Sequence, residues 1–156
     1  MDAFRHELPL MNSPDRTQDP FTWALVFLCW LLATVSTLGS LFFSEVMGYA
    51  PCILCWYQRI CMYPLVLILP VALLPFDRNI VRAVIPLTVA GTLVAGFHTL
   101  LIGGYIPEDM KPCTEGVPCT EFHINWFGFV TIPLLSALAF LLITALLILA
   151  YRRSSK

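Results

Sequence analysis

Residues 51–76 read PCILCWYQRICMYPLVLILPVALLPF. Two cysteines three positions apart open the stretch, Arg59 follows one helical turn later, and the next charge is Asp77. That uncharged run just reaches the lower limit of roughly 17 residues for a helix that crosses a bilayer. The pattern recurs on both sides. No charged residue lies between Asp19 and Glu45, between Arg82 and Glu108, or between Glu121 and Arg152. Each of these gaps exceeds the ~20 residues that span a bilayer. Charged residues make up only 12% of the 156-residue chain and hydrophobic residues 58%, whereas a soluble domain carries about a quarter charged. The expected fold is an all-α membrane protein, a four-transmembrane-helix antiparallel bundle.

The expected spans are about 21–43, 56–75, 83–103 and 126–150, within one domain over 21–151. Residues 1–20, mixed in charge and rich in Pro, Asp and Asn, form a tail expected to be flexible, and 152–156 a short basic tail. The first apolar run is too long for a signal-peptide core and follows a polar segment, so it is expected to stay as an anchor. Lysines and arginines set the orientation. With both termini cytoplasmic, the inner segments hold Arg5, Arg16, Arg78, Arg82, Arg152, Arg153 and Lys156, and the outer side holds only Arg59 and Lys111. The outer loops are then about 44–55 and 104–125, and Tyr49, Trp56, Tyr57, Tyr105 and Trp126 fall near the outer interface.

Four of the six cysteines land on that outer, oxidising side as two close pairs: Cys52 with Cys55, and Cys113 with Cys119. Cys29 and Cys61 fall within spans and read as small packing residues. The turn-forming Pro112, Gly116 and Pro118 make closure between Cys113 and Cys119 easy, so a static clamp and a redox pair are both compatible with that loop. For Cys52 and Cys55, position favours redox chemistry. Gly48 and Pro51 place a helix start near Cys52, where unpaired N–H groups and the helix dipole favour thiolate. Cys52, Cys55 and Arg59 follow one another at i, i+3 and i+7 on one helix face, so a fixed cation supports an anionic sulfur. Arg59 could instead snorkel to the headgroups, but its register with both thiols favours a functional role.

Two dithiol pairs on a small membrane protein suggest a relay by thiol–disulfide exchange. The loop pair is open to a soluble protein. The helix-entrance pair sits where water meets lipid, within reach of a membrane quinone that takes two electrons and two protons. His98, about a turn and a half from the outer end of the third span at ~3.6 residues per turn, is either a buried, hydrogen-bonded neutral histidine or a donor to a quinone oxygen. His123 is expected at the outer interface. Thr34, Ser36, Thr37, Gly39 and Ser40 read as close helix packing.

The run PCILCWYQRICMYPLVL, followed by KPCTEGVPCTEFHINWFGFVTIPLLSALAF, resembles the bacterial DsbB/BdbC disulfide-bond formation proteins over all four spans and both outer loops. The five residues between Cys113 and Cys119 match the BdbC-like branch. The resemblance implies a bacterial inner-membrane thiol–disulfide oxidoreductase with both cysteine pairs on the extracytoplasmic side. Cys113 and Cys119 would form one disulfide and exchange with a thioredoxin-like DsbA/BdbD-type thiol oxidase. Cys52 and Cys55 would form the other and pass electrons to ubiquinone or menaquinone, with Cys55 nearest the quinone, Arg59 beside its ring and His98 close by. Neither a metal nor a nucleic acid is expected. Other readings of the same residues are a relay run in reverse, a vitamin K epoxide reductase-like enzyme (whose motif order differs), a static structural protein, and a zinc site of Cys52, Cys55, Cys113 and Cys119. Oxidising surroundings count against the zinc site.

Overall fold

The computed structural model describes residues 19–106 and 131–154. Residues 1–18 of the expected tail 1–20 and the outer-loop residues Cys113, Cys119 and His123 lie outside the described residues. Helices α1 (Pro20–Leu41), α2 (Ile53–Leu73), α3 (Arg78–Ile102) and α4 (Ile132–Arg153) are all long and apolar enough to cross a membrane, and no strand occurs among the described residues. Each packs on two neighbours, in the cyclic order α1, α2, α3, α4. The Arg153–Asp19 ion pair at 3.9 Å and the Arg78 guanidinium 4.4 Å over the Tyr151 ring gather the starts of α1 and α3 and the end of α4 at one end of an antiparallel bundle. Both ends of the membrane domain therefore lie on one side.

The helix boundaries follow local chemistry. Pro20 needs no N–H at the start of α1. Asp77 caps α3 by accepting from the Asn79 N–H at 2.7 Å, and Thr131 caps α4 through Leu134. This cap starts α3 at Arg78, ahead of the start near 83 expected from charge alone, because Arg78 reaches Tyr151 instead of ending the helix. α1 runs on into a π-helical turn over Phe42–Val46, and Gly48, at φ 70°, then lets the chain reverse toward α2.

The bundle is packed inside and apolar outside. Val26, Leu65, Leu69, Phe140, Ile143 and Leu147 are fully buried, while Val35, Leu67 and Leu93 are about 70% exposed, as lipid-facing side chains should be. Cys29 and Cys61 are buried in this core, and the Cys29 thiol meets the Ile143 carbonyl at 3.8 Å. Pro70 inside α2 has no N–H for the Val66 carbonyl, and the Trp30 indole of α1 donates to that carbonyl at 3.2 Å. Thr92 of α3 and Thr144 of α4 meet hydroxyl to hydroxyl at 3.3 Å.

Gly91 allows α3 and α4 to approach, since a Cβ there would run into the Phe140 ring. Gly91→Ala is therefore expected to destabilise the bundle by about 1–3 kcal/mol, the usual cost of overpacking. Thermal unfolding in detergent checks this. An unchanged midpoint would mean that the ring has room to move.

Candidate functional site

The site forms at the end of the bundle opposite Asp19 and Arg153, where α2 begins. Cys52 precedes the first residue of α2 in extended conformation and caps it. Its Sγ accepts the Cys55 N–H at 3.4 Å, in the place where serine or aspartate usually serves. Cys55, one turn on, brings its Sγ to 3.0 Å from that of Cys52, and both are free thiols here. Cys52 is 7% exposed; Cys55 is more open.

Across from Cys52 stands His98 of α3, 2% exposed, with Nε2 at 3.9 Å from the Cys52 sulfur and Nδ1 at 3.1 Å from Gln58 Nε2. An amide nitrogen only donates, so in this orientation Nδ1 accepts and the neutral ring carries its proton on Nε2, facing Cys52. The Cys55 thiol donates to Cys52, and His98 and the Cys55 N–H add their dipoles. Together these outweigh burial and hold the Cys52 thiol well below its ordinary value.

A depressed thiol value keeps the thiolate as pH falls. Alkylation of Cys52 should therefore stay nearly constant from pH 8 to about pH 6, where an ordinary thiol with a value of ~8.5 would slow roughly a hundredfold. In His98→Ala the fall should move to higher pH. A hundredfold drop in the parent protein would show Cys52 to be an ordinary thiol.

Arg59 does not reach out to the surface. Its Nε donates to Ser40 Oγ and its Nη2 to the Ser40 carbonyl, both at 2.9 Å, and its guanidinium lies 5.4 Å from the Trp56 ring centroid. Ser40 lies in the last turn of α1, just before the π-helical turn, so α1 fixes where the cation sits. Cys55, Arg59, Ser40, Ser36 and Phe43 help to line a mainly apolar cavity of about 260 Å³ between α1, α2 and α4. Tyr63 also lines it, and its buried hydroxyl has no hydrogen-bond partner among the described residues.

The expected residues thus divide. Cys55 and Arg59 share the cavity, whereas His98 is turned to Cys52 and is not among the cavity-lining residues. Sequence reasoning missed Gln58 and assigned Ser40 to packing. A polar residue beside Arg59 on the cysteine-bearing helix was the only available signal for Gln58.

Comparison with known proteins decides the family. A profile described as "Disulfide bond formation protein DsbB" matches residues 21–150, nearly all of the four-helix domain. The chain belongs to the DsbB family. It is 47% identical over 135 residues to a "Probable disulfide formation protein" of Metapseudomonas resinovorans, covering 86% of this chain and 94% of that one. It is also 47% identical over 123 residues to "Disulfide bond formation protein C" of Bacillus subtilis (strain 168), covering 76% and 88%. No solved structure matches. Membership in the DsbB family makes this chain a disulfide-forming thiol–disulfide oxidoreductase, and its four apolar helices are those of a multi-pass membrane protein.

Proposed function

We propose that this protein reoxidises an extracytoplasmic thioredoxin-like dithiol oxidase and passes the two electrons through Cys113/Cys119 and Cys52/Cys55 to a membrane quinone, ubiquinone or menaquinone. The observation that carries the reading is the shared cavity, in which a dithiol sulfur and a fixed cation face one mainly apolar space. The residues fit a quinone head group. The wall is mostly hydrocarbon, Arg59 offers a charged donor, and the buried Tyr63 hydroxyl in the same lining has no partner among the described residues.

Each residue then has a role set by where it lies. Cys52, at the entrance, is the thiolate released when an outer-loop thiolate attacks the Cys52–Cys55 disulfide at Cys55. The second loop thiolate then closes the Cys113–Cys119 bond and frees Cys55, and the Nε2–H of His98 holds the charge of Cys52. Gln58 fixes the His98 ring, and Ser40 fixes Arg59. Cys55 presents its sulfur to the cavity, and Arg59 favours negative charge there. A bound quinone supplies the two-electron, two-proton acceptor. Each disulfide made in the partner thus balances one quinone reduced to quinol.

The bias of arginines sets the proposed sidedness. Arg78, Arg82, Arg152 and Arg153 belong to the end that holds both termini of the membrane domain, against Arg59 at the other, which supports a cytoplasmic placement of the termini in the bacterial inner membrane. The test is turnover by the purified full chain with a reduced thioredoxin-like dithiol protein and quinone. The expected result is one quinol per disulfide, lost in Cys113→Ser. Disulfide formation without quinol, or turnover untouched by Cys113→Ser, would overturn the relay.

A further inference from the structure

The reduced site has a second chemical capacity. Cys52 Sγ, Cys55 Sγ and His98 Nε2 lie within 4.8 Å of one another, two of them on buried residues, and each can give a lone pair to one centre. Two thiolates and an imidazole form the donor set that selects thiophilic cations, zinc above all, over magnesium or calcium. With Zn–S near 2.3 Å and Zn–N near 2.0 Å, a tetrahedral ion needs donor atoms roughly 3.6–3.8 Å apart. The sulfur–nitrogen separation of 3.9 Å is already close to that, and the sulfur pair at 3.0 Å has to open by less than an ångström. Cys55, the more exposed of the two, has the freedom for that movement.

Gln58 supplies what a ligating histidine needs behind it. Turned end for end, its amide places the carbonyl oxygen on Nδ1–H and leaves the Nε2 lone pair toward the sulfurs. That is the outer-shell arrangement that orients metal-bound histidines. The same glutamine therefore serves two states of the site, donating to His98 beside the free thiolate and accepting from it beside a metal.

We propose that the reduced Cys52–Cys55 pair and His98 form a thiophilic-metal site that binds one Zn²⁺ or Cd²⁺ and arrests the protein in its dithiol state. Both sulfurs are then occupied and neither can give its electrons to the quinone, so the metal acts as an inhibitor and not as a cofactor. The arrest rests on the relay proposed above; the binding does not, and it can be measured with neither quinone nor partner.

The experiment titrates Cd²⁺ and Zn²⁺ into the full chain in detergent, carrying Cys113→Ser and Cys119→Ser so that the outer-loop thiols cannot contribute. The readouts are the thiolate-to-cadmium charge-transfer band and Zn²⁺ competition against a chromophoric chelator. The reduced protein is expected to bind one ion per chain and the oxidised protein none. His98→Ala should weaken binding by at least tenfold, and Gln58→Leu by the roughly 10–100-fold typical of an outer-shell partner. Should His98→Ala fail to fold, protection of both Cys52 and Cys55 from alkylation by stoichiometric Zn²⁺ in the parent serves in its place. Absence of binding by the reduced protein, unchanged affinity in folded His98→Ala, or Zn²⁺ that leaves Cys55 reactive would each overturn the proposal.

Discussion

Cys55→Ser is expected to reduce quinone-linked turnover to background, a loss of at least about a thousandfold, as when one member of a catalytic unit is removed. The hydroxyl cannot form the second sulfur bond, so the two electrons delivered to Cys52 have no route into the cavity that Cys55 lines. The same substitution should leave Cys52 nearly as reactive as before. The strongest influence lowering the Cys52 thiol is the hydrogen bond from Cys55, and a serine hydroxyl can donate in its place. Cys55→Ala is the contrasting variant, equally inactive but with alkylation of Cys52 displaced to higher pH. Steady-state turnover and alkylation profiles of the two proteins separate the redox role of Cys55 from its electrostatic role. Equal profiles would show that hydrogen bonding from residue 55 does not sustain the thiolate.

Arg59→Met should raise the KM for quinone by about 10–100-fold with a smaller change in kcat. The estimate takes a charge-assisted hydrogen bond as about 1.5–3 kcal/mol and a tenfold change as about 1.4 kcal/mol. Methionine keeps much of the side chain's volume and removes only the charge and the donors. Ser40→Ala should act in the same direction but more weakly, since Arg59 keeps its bond to the Ser40 carbonyl. An unchanged KM in Arg59→Met would reduce the arginine to a tie between α1 and α2.

Much of this arrangement is legible in the sequence. Long uncharged runs mark the four helices because a bilayer leaves few alternatives for an apolar segment of that length. Gly48 and Pro51 point to a helix start near Cys52, and Cys52 is the cap of α2. The placement of Cys55 and Arg59 on one face follows from helical spacing, and both line the cavity.

Contacts between helices were not legible. Helical spacing places Cys52 on the face of Arg59, yet Cys52 is turned to His98, because a residue at the cap has left helical geometry. The direction His98 faces depends on how α3 is rotated against α2, which no local pattern encodes. Gln58 meets His98 across 40 positions and Arg59 meets Ser40 across 19. Nothing in the sequence near Ser40 distinguishes it from Ser36 or Thr37 as a partner for a cation. Charge alone marks a span from about 83, and α3 extends beyond it to Arg78, whose guanidinium lies over the Tyr151 ring.

The proposed exit of electrons is the cavity beside Cys55 and Arg59. Its most direct test is a single anaerobic turnover of the reduced Cys113→Ser/Cys119→Ser protein with one equivalent of quinone. Quinol is followed by absorbance and thiols by mass spectrometry after alkylation. One quinol per chain is expected, with Cys52 and Cys55 both becoming resistant to alkylation. Quinol formed while both thiols remain free, or no quinol at all from a folded protein, would contradict it.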